Sequence, residues 1–135
     1  MNDSVSRVLA QVVDRMRERV LEDPTVRAFW IEGGEAEDLR RPYRRLDLRL
    51  GVQDPDFEAL ASRVDSLLQS AGLEVTCEKE PVDLDGLRVR VRLESGVSFE
   101  LWIERMSLVG KRSRRCVLPL IDKTGQFRQV LDIRG

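Results

Sequence analysis

Hydrophobic residues recur at helical spacing in two stretches of this chain. Over residues 4–21 the apolar positions lie three or four residues apart, and the pair Asp23–Pro24 then blocks further helix. A second stripe of the same spacing follows the helix-start pair Asp54–Pro55, covers residues 57–71 and ends at Gly72. The pattern therefore predicts two long helices, each with one apolar face.

Strict alternation, or a short run of β-branched and aromatic residues, predicts strands elsewhere in the chain. The predicted strands cover residues 26–32, 45–52, 74–80, 87–93, 97–105 and 116–121. Charge and the following Pro81 place strand 74–80 at an edge of the sheet. We therefore predict an α+β, two-layer fold, in which a mixed β-sheet carries both helices on its apolar face and leaves a polar face open.

The register of the hairpin formed by strands 87–93 and 97–105 follows from the same alternation. A two-residue loop would pair Val91 with Glu100 and mix apolar with polar side chains on each face. A three-residue loop ending at Gly96 pairs Val91 with Phe99 and puts glycine where a left-handed residue is needed. This register also sets Arg90 opposite Glu100 on the polar face.

Composition narrows the class of protein. The chain has 135 residues, of which 41% are hydrophobic and 35% charged, so we predict a single globular domain over 1–135. Its net charge of −1 disfavours nucleic acid and anionic membranes as partners. The absence of histidine excludes every histidine-based acid, base or metal ligand. Two distant cysteines, no signal sequence and no membrane-length apolar run indicate a cytoplasmic protein.

The most informative stretch is residues 33–50. Gly33 and Gly34 end a predicted strand, ten residues follow, and Arg45 and Asp47 then open an alternating strand. This layout resembles the signature of the nucleotidyltransferase superfamily, the DNA polymerase beta-like fold, in which Gly-Ser precedes Asp-x-Asp at similar spacing. Here Gly34 replaces the serine and Arg45 replaces the first aspartate. The resemblance extends over residues 26–104 and implies the same α+β, two-layer fold.

The resemblance implies a nucleotide site. Gly33 and Gly34 would hold the triphosphate of a nucleoside triphosphate, since small residues leave backbone N–H groups accessible. Asp47 and Glu100, with Glu104 in reserve, would be the catalytic carboxylates and Mg²⁺ ligands, because two Mg²⁺ ions activate an in-line phosphoryl displacement. The cofactors of an active enzyme would therefore be Mg²⁺ and a nucleoside triphosphate.

The residues themselves leave other interpretations open. Asp47 could form an ion pair with Arg45 or Arg49, and Glu100 could form a cross-strand pair with Arg90. Trp102 lies on the polar face by alternation, where it could cover that face, stack on a base or form an interface.

Arginines on the polar face favour an anion over a metal ion. These arginines are Arg45, Arg49, Arg88, Arg90 and Arg92. We therefore predict a nucleotidyltransferase-like domain with a degraded metal site, which is catalytically inactive and binds a nucleotide, a phosphorylated ligand, or a protein partner or second copy of itself. The cofactor-binding residues would be Gly33, Gly34, Arg45, Arg49 and Arg90.

Two alternatives remain. The first is an active Mg²⁺-dependent enzyme that transfers a nucleoside monophosphate to a small-molecule or protein acceptor, with Glu35 or Glu37 replacing the lost carboxylate. The second is an interaction module that keeps the sheet for its shape alone.

Overall fold

The computed structural model describes residues 3–83, 86–109, 116–123 and 125. Its elements are α1 (Asp3–Leu21), β1 (Val26–Gly33), β2 (Asp47–Val52), α2 (Phe57–Ser62), α3 (Val64–Ser70), β3 (Val75–Asp83), β4 (Gly86–Leu93), β5 (Ser98–Arg105), α4 (Met106–Val109) and β6 (Cys116–Asp122). Short 3-10 helices at Ala36–Leu39 and Asp54–Asp56 lie before β2 and α2.

The strands form one six-stranded sheet in the order β3-β4-β5-β2-β1-β6. Strands β2 and β5 are parallel and the other neighbours are antiparallel, so the sheet is mixed as predicted. Strand β3 lies at an edge, also as predicted. The parallel β2–β5 pair at the centre brings the beginnings of both strands to the same place in the sheet.

The hairpin register predicted from alternation is confirmed. Val91 pairs with Phe99 and Arg90 pairs with Glu100 across β4 and β5. Gly96 has a φ angle of 94°, the left-handed conformation that the three-residue loop requires. The alternate apolar residues of this hairpin consequently face the helices.

The main core lies between one face of the sheet and helices α1, α2 and α3. It contains Leu9 and Met16 of α1, Leu60 of α2, Leu68 of α3, and Leu48, Leu50, Val89, Val91, Leu101 and Ile103 of the sheet. All of these residues are buried. The prediction that the helices pack on one face is therefore confirmed, and we call the opposite face of the sheet the open face.

A small second core covers one end of the open face. Ala28 and Trp30 of β1 are buried there against Met106, the first residue of α4. Gly51 of β2 leaves the space for this contact, since a Cβ atom on it would lie 2.5 Å from the sulfur of Met106. The open face is thus polar around its centre and apolar beneath α4.

The helix predicted over residues 57–71 is interrupted. Arg63 separates α2 from α3 with φ −119° and ψ 20°, and its N–H bonds to the carbonyl of Leu60, three residues earlier. Its guanidinium donates to Asp23 and to the hydroxyl of Thr25 in the loop after α1. The single-helix prediction was wrong because this tie to a distant loop has no local sequence signal.

Strand β2 begins at Asp47, two residues later than predicted. Arg45 therefore lies in the connection that precedes the strand. The basic segment 111–115 and the amphipathic segment 127–133 lie outside the described residues, as does part of the turn at 122–125. In the described part of the chain, no helix combines the length and apolar character needed to cross a membrane.

Candidate functional site

Three segments of the chain meet at one end of the open face. The end of β1 contributes the Gly33–Gly34 turn, and the beginnings of β2 and β5 contribute Asp47 and Glu100. Asp47 and Glu100 are direct partners across the parallel pair. The two carboxylates named from the sequence therefore lie on adjacent strands and on the same face.

A cavity of about 670 Å³ lies over this junction. It is lined by Glu32, Gly33, Gly34, Asp38, Arg45, Leu46, Asp47, Arg90, Ser98, Phe99 and Glu100. Six of the seven residues predicted for the site line this cavity together. The seventh, Arg49, is not among the lining residues.

Arg49 is instead buried among carboxylates beside the cavity, with 8% of its surface exposed. Its Nε and Nη2 donate to the two carboxylate oxygens of Asp47 at 2.8 and 3.0 Å. Its Nη1 donates to Oε2 of Glu104 at 2.8 Å, and its Nη2 lies 3.2 Å from Oε2 of Glu32. One guanidinium therefore links carboxylates from β1, β2 and β5.

Trp102 covers this buried cation. The guanidinium carbon of Arg49 lies 4.2 Å from the centroid of the Trp102 ring, a cation–π contact. Burial alone would lower the pKa of Arg49, but the hydrogen bonds and charges of Asp47, Glu32 and Glu104 raise it above its ordinary value. Arg49 is therefore a permanent cation, and of the three interpretations of Trp102 the structure supports the one in which it covers the polar face.

Asp47 is held in a crowded acidic environment. Burial raises the pKa of Asp47, as do the nearby charges of Glu100 and Glu104, and Arg49 offsets only part of this effect. Glu104 itself is fully buried. The ion pair with Arg49 thus favours the charged form of Asp47 inside the protein.

The donor set at this junction does not fit Mg²⁺. Both oxygens of Asp47 already accept hydrogen bonds from Arg49, and Glu100 faces Nε of Arg88 at 3.8 Å. Mg²⁺ requires oxygen ligands in nearly octahedral geometry, which a guanidinium in their midst prevents. Among the residues that the structure describes, no group of three His, Cys, Asp or Glu is arranged to hold a metal ion.

The Gly33–Gly34 turn already holds a carboxylate of the chain itself. The N–H groups of Gly34 and Glu35 donate to Oδ2 of Asp38 at 3.0 and 3.1 Å, and Nη2 of Arg45 lies 3.5 Å from the same oxygen. The hydrogen bond from Glu35, with help from Arg45, holds the pKa of Asp38 below its ordinary value. Sequence reasoning missed Asp38, although an acid three residues after a helix N-cap is a capping signal.

Arg90 is the lining arginine left for a ligand. It is exposed and forms no ion pair with a described residue, although its backbone lies opposite Glu100 as predicted. Arg88 instead bridges Glu80 at 2.6 Å and Glu100 at 3.8 Å. Glu35 and Glu37, the suggested replacement carboxylates, do not line this cavity.

Comparisons with known proteins add little to this geometry. No protein-family model and no curated protein matches the sequence. Among solved structures, the apo form of a CCA-adding enzyme is similar, with 14% sequence identity and a TM-score of 0.46. The match covers 89% of this chain but only 31% of that enzyme, so the chain spans about a third of its length.

Two aspartates should titrate on opposite sides of the ordinary aspartate pKa. Asp47 should titrate above the ordinary value, because burial and the nearby charges of Glu100 and Glu104 raise its pKa. Burial would also raise the pKa of Asp23, but hydrogen bonds from Thr25 and Arg63 outweigh burial and lower it. Ionised Asp23 should therefore stabilise the fold at pH values above the pKa that Asp23 has in the unfolded chain, and this contribution should be lost as the pH falls. Asp47 has the opposite effect, because protonating it at lower pH removes the cost of holding its charge in the folded protein. Carboxyl-carbon NMR titration measures both, and midpoints in the reverse order would contradict the electrostatics.

Proposed function

We propose that this chain is a nucleotidyltransferase-like domain that binds a nucleotide or another phosphorylated ligand without catalysing nucleotidyl transfer. The spacing from Gly33–Gly34 to Asp47 supports the family assignment, as does the placement of Asp47 beside Glu100 on parallel strands. The loss of catalysis is carried by one observation. Both oxygens of Asp47 are hydrogen-bonded to the guanidinium of Arg49, a fixed positive charge that repels a metal ion from that carboxylate.

The cavity is suited to a small ligand of mixed character. Its volume of about 670 Å³ is in the range typical of small-molecule sites. Its lining has four carboxylates (Glu32, Asp38, Asp47 and Glu100) but only two arginines (Arg45 and Arg90). With more carboxylates than arginines in the lining, the ligand should combine an anionic group with several hydrogen-bond donors, as a nucleotide does.

The anionic group should bind at Arg90. The N–H groups of Gly34 and Glu35 are satisfied by Asp38, and Arg45 pairs with the same carboxylate. Arg90 has no such partner among the described residues, and guanidinium groups bind phosphate with two parallel hydrogen bonds. The donors of the ligand would then face Glu100.

The purified chain should transfer no nucleotide from ATP to itself or to added acceptors in the presence of Mg²⁺ or Mn²⁺. ATP should bind equally well with Mg²⁺ and with EDTA, as measured by titration calorimetry. Arg90→Ala should weaken that binding about 10- to 150-fold, since a hydrogen bond to a charged group contributes about 1.5–3 kcal/mol. Arg92→Ala, which removes an exposed arginine of the same strand outside the cavity, is the matched control.

One observation favours the active enzyme as a second candidate. Asp47 and Glu100 are direct backbone partners, and both line the cavity, as two catalytic carboxylates would have to. Metal-dependent transfer that Asp47→Asn abolishes would establish this alternative and end our proposal. Failure of the wild-type chain to bind ATP would end only the proposal that the chain binds a nucleotide.

A further inference from the structure

We infer that Arg49 is the resident cation of this site, which excludes divalent metal ions from the carboxylates of Glu32, Asp47 and Glu104 and makes ligand binding independent of metal. The inference deepens the proposed function, on which it rests. It also identifies a different set of carboxylates from the one expected from the sequence. Glu32 of β1 is a partner of Arg49 that the sequence did not predict, and Glu100 is not an ion-pair partner of Arg49.

Arg49 lies at the centre of a cluster of carboxylates. Three acidic side chains from three neighbouring strands converge on one guanidinium, at 2.8 Å for Asp47 and Glu104 and 3.2 Å for Glu32. Carboxylates of like charge repel one another unless a cation lies between them. Here the covalently attached guanidinium takes the position of that cation.

Arg49 is held permanently in this position. Its side chain is 10% exposed and that of Glu104 is fully buried, so their ion pair is shielded from solvent, whereas the side chain of Asp47 is 31% exposed. The ring of Trp102 packs on the guanidinium and covers it. An arginine remains charged at any physiological pH, and a free ion could not displace it without leaving its buried charge unpaired.

The guanidinium of Arg49 is a cation that three carboxylates share, and it lies 2.8–3.2 Å from oxygens of Asp47, Glu104 and Glu32. Removing Arg49 would take this shared cation away from carboxylate oxygens, which are the ligands that hard divalent ions prefer. In the wild-type chain the guanidinium therefore occupies the place that such an ion would need.

Arg49→Ala tests this inference through rescue by an added cation. Thermal unfolding by circular dichroism would be followed with Mg²⁺, Mn²⁺ or Ca²⁺ at millimolar concentration, and separately with millimolar methylguanidinium. We expect each divalent ion that binds to raise the unfolding midpoint of Arg49→Ala by at least about 3 °C, because a ligand of the folded state stabilises it by mass action. Methylguanidinium should do the same, since it replaces the lost group.

Wild type and Arg92→Ala are the controls, and neither midpoint should respond to these cations. If Arg49→Ala is unfolded without additives, cation-dependent gain of helical signal is the equivalent result. The inference that Arg49 excludes metal ions would be overturned if methylguanidinium, but no divalent ion, stabilised Arg49→Ala. It would also be overturned if wild type bound Mn²⁺ as well as Arg49→Ala does. Nucleotidyl transfer by wild type would instead end the proposed function, so the two failures are distinguishable.

Discussion

Replacing Arg49 by alanine should lower the free energy of unfolding by about 3–5 kcal/mol, the usual cost of removing one partner from a buried ion pair. The substitution removes the cation that the fully buried Glu104 shares with Asp47 and Glu32. It also removes the group on which Trp102 packs. Urea denaturation followed by tryptophan fluorescence and circular dichroism measures the loss.

The effect of Arg49→Ala should depend on pH in a defined direction. Buried carboxylates without a cation have a raised pKa in the folded state, so lowering the pH protonates them and restores part of the lost stability. Arg92→Ala, on the exposed surface of β4, should change stability by no more than about 0.5 kcal/mol. Equal losses in the two variants would show that the cluster contributes nothing specific.

Asp23→Ala should lower the free energy of unfolding by about 2–3 kcal/mol. Asp23 is 4% exposed and accepts hydrogen bonds from the N–H and hydroxyl of Thr25 and from Nη2 of Arg63. These bonds tie the loop after α1 to the break between α2 and α3. The same urea denaturation measures the change. The urea concentration at the unfolding midpoint should fall, while the slope of the unfolding free energy against urea concentration should stay the same.

Asp14→Ala provides the matched comparison for Asp23→Ala. Asp14 also forms an ion pair with an arginine, Arg41, at 2.8 Å, but both side chains are more than half exposed. Exposed pairs contribute about 0–1 kcal/mol, so this variant should be nearly neutral. A cost as large as that of Asp23→Ala would mean that burial is not what makes the Asp23 ion pair important.

The sheet could be predicted because its information is local. Period-two alternation in β4 and β5 allowed one register that kept Val91 and Phe99 on the same face, and a single glycine selected the loop length. Pro81 and the charges around it identified the edge strand in the same way. Each of these features depends on residues close together in sequence.

The interior of the site could not be predicted because its contacts are distant in sequence. Arg49 and Asp47 are two residues apart, so their pairing was one of the interpretations left open. Glu104 is 55 residues from Arg49, and nothing in the sequence connects them. The interruption at Arg63 has the same origin, since its partner Asp23 is 40 residues away. Contacts between side chains on different strands leave no periodic signal in the sequence.

The edge strand β3 has a consequence for how copies of this protein meet at high concentration. A second copy that extended the sheet antiparallel about Lys79 would place Glu78 opposite Glu80 of its neighbour, and like charges directly opposite are destabilising. Pro81 has no N–H to donate to such a ladder. Although β3 offers an open row of backbone groups, its side chains therefore discourage the strand-to-strand stacking that begins many aggregates.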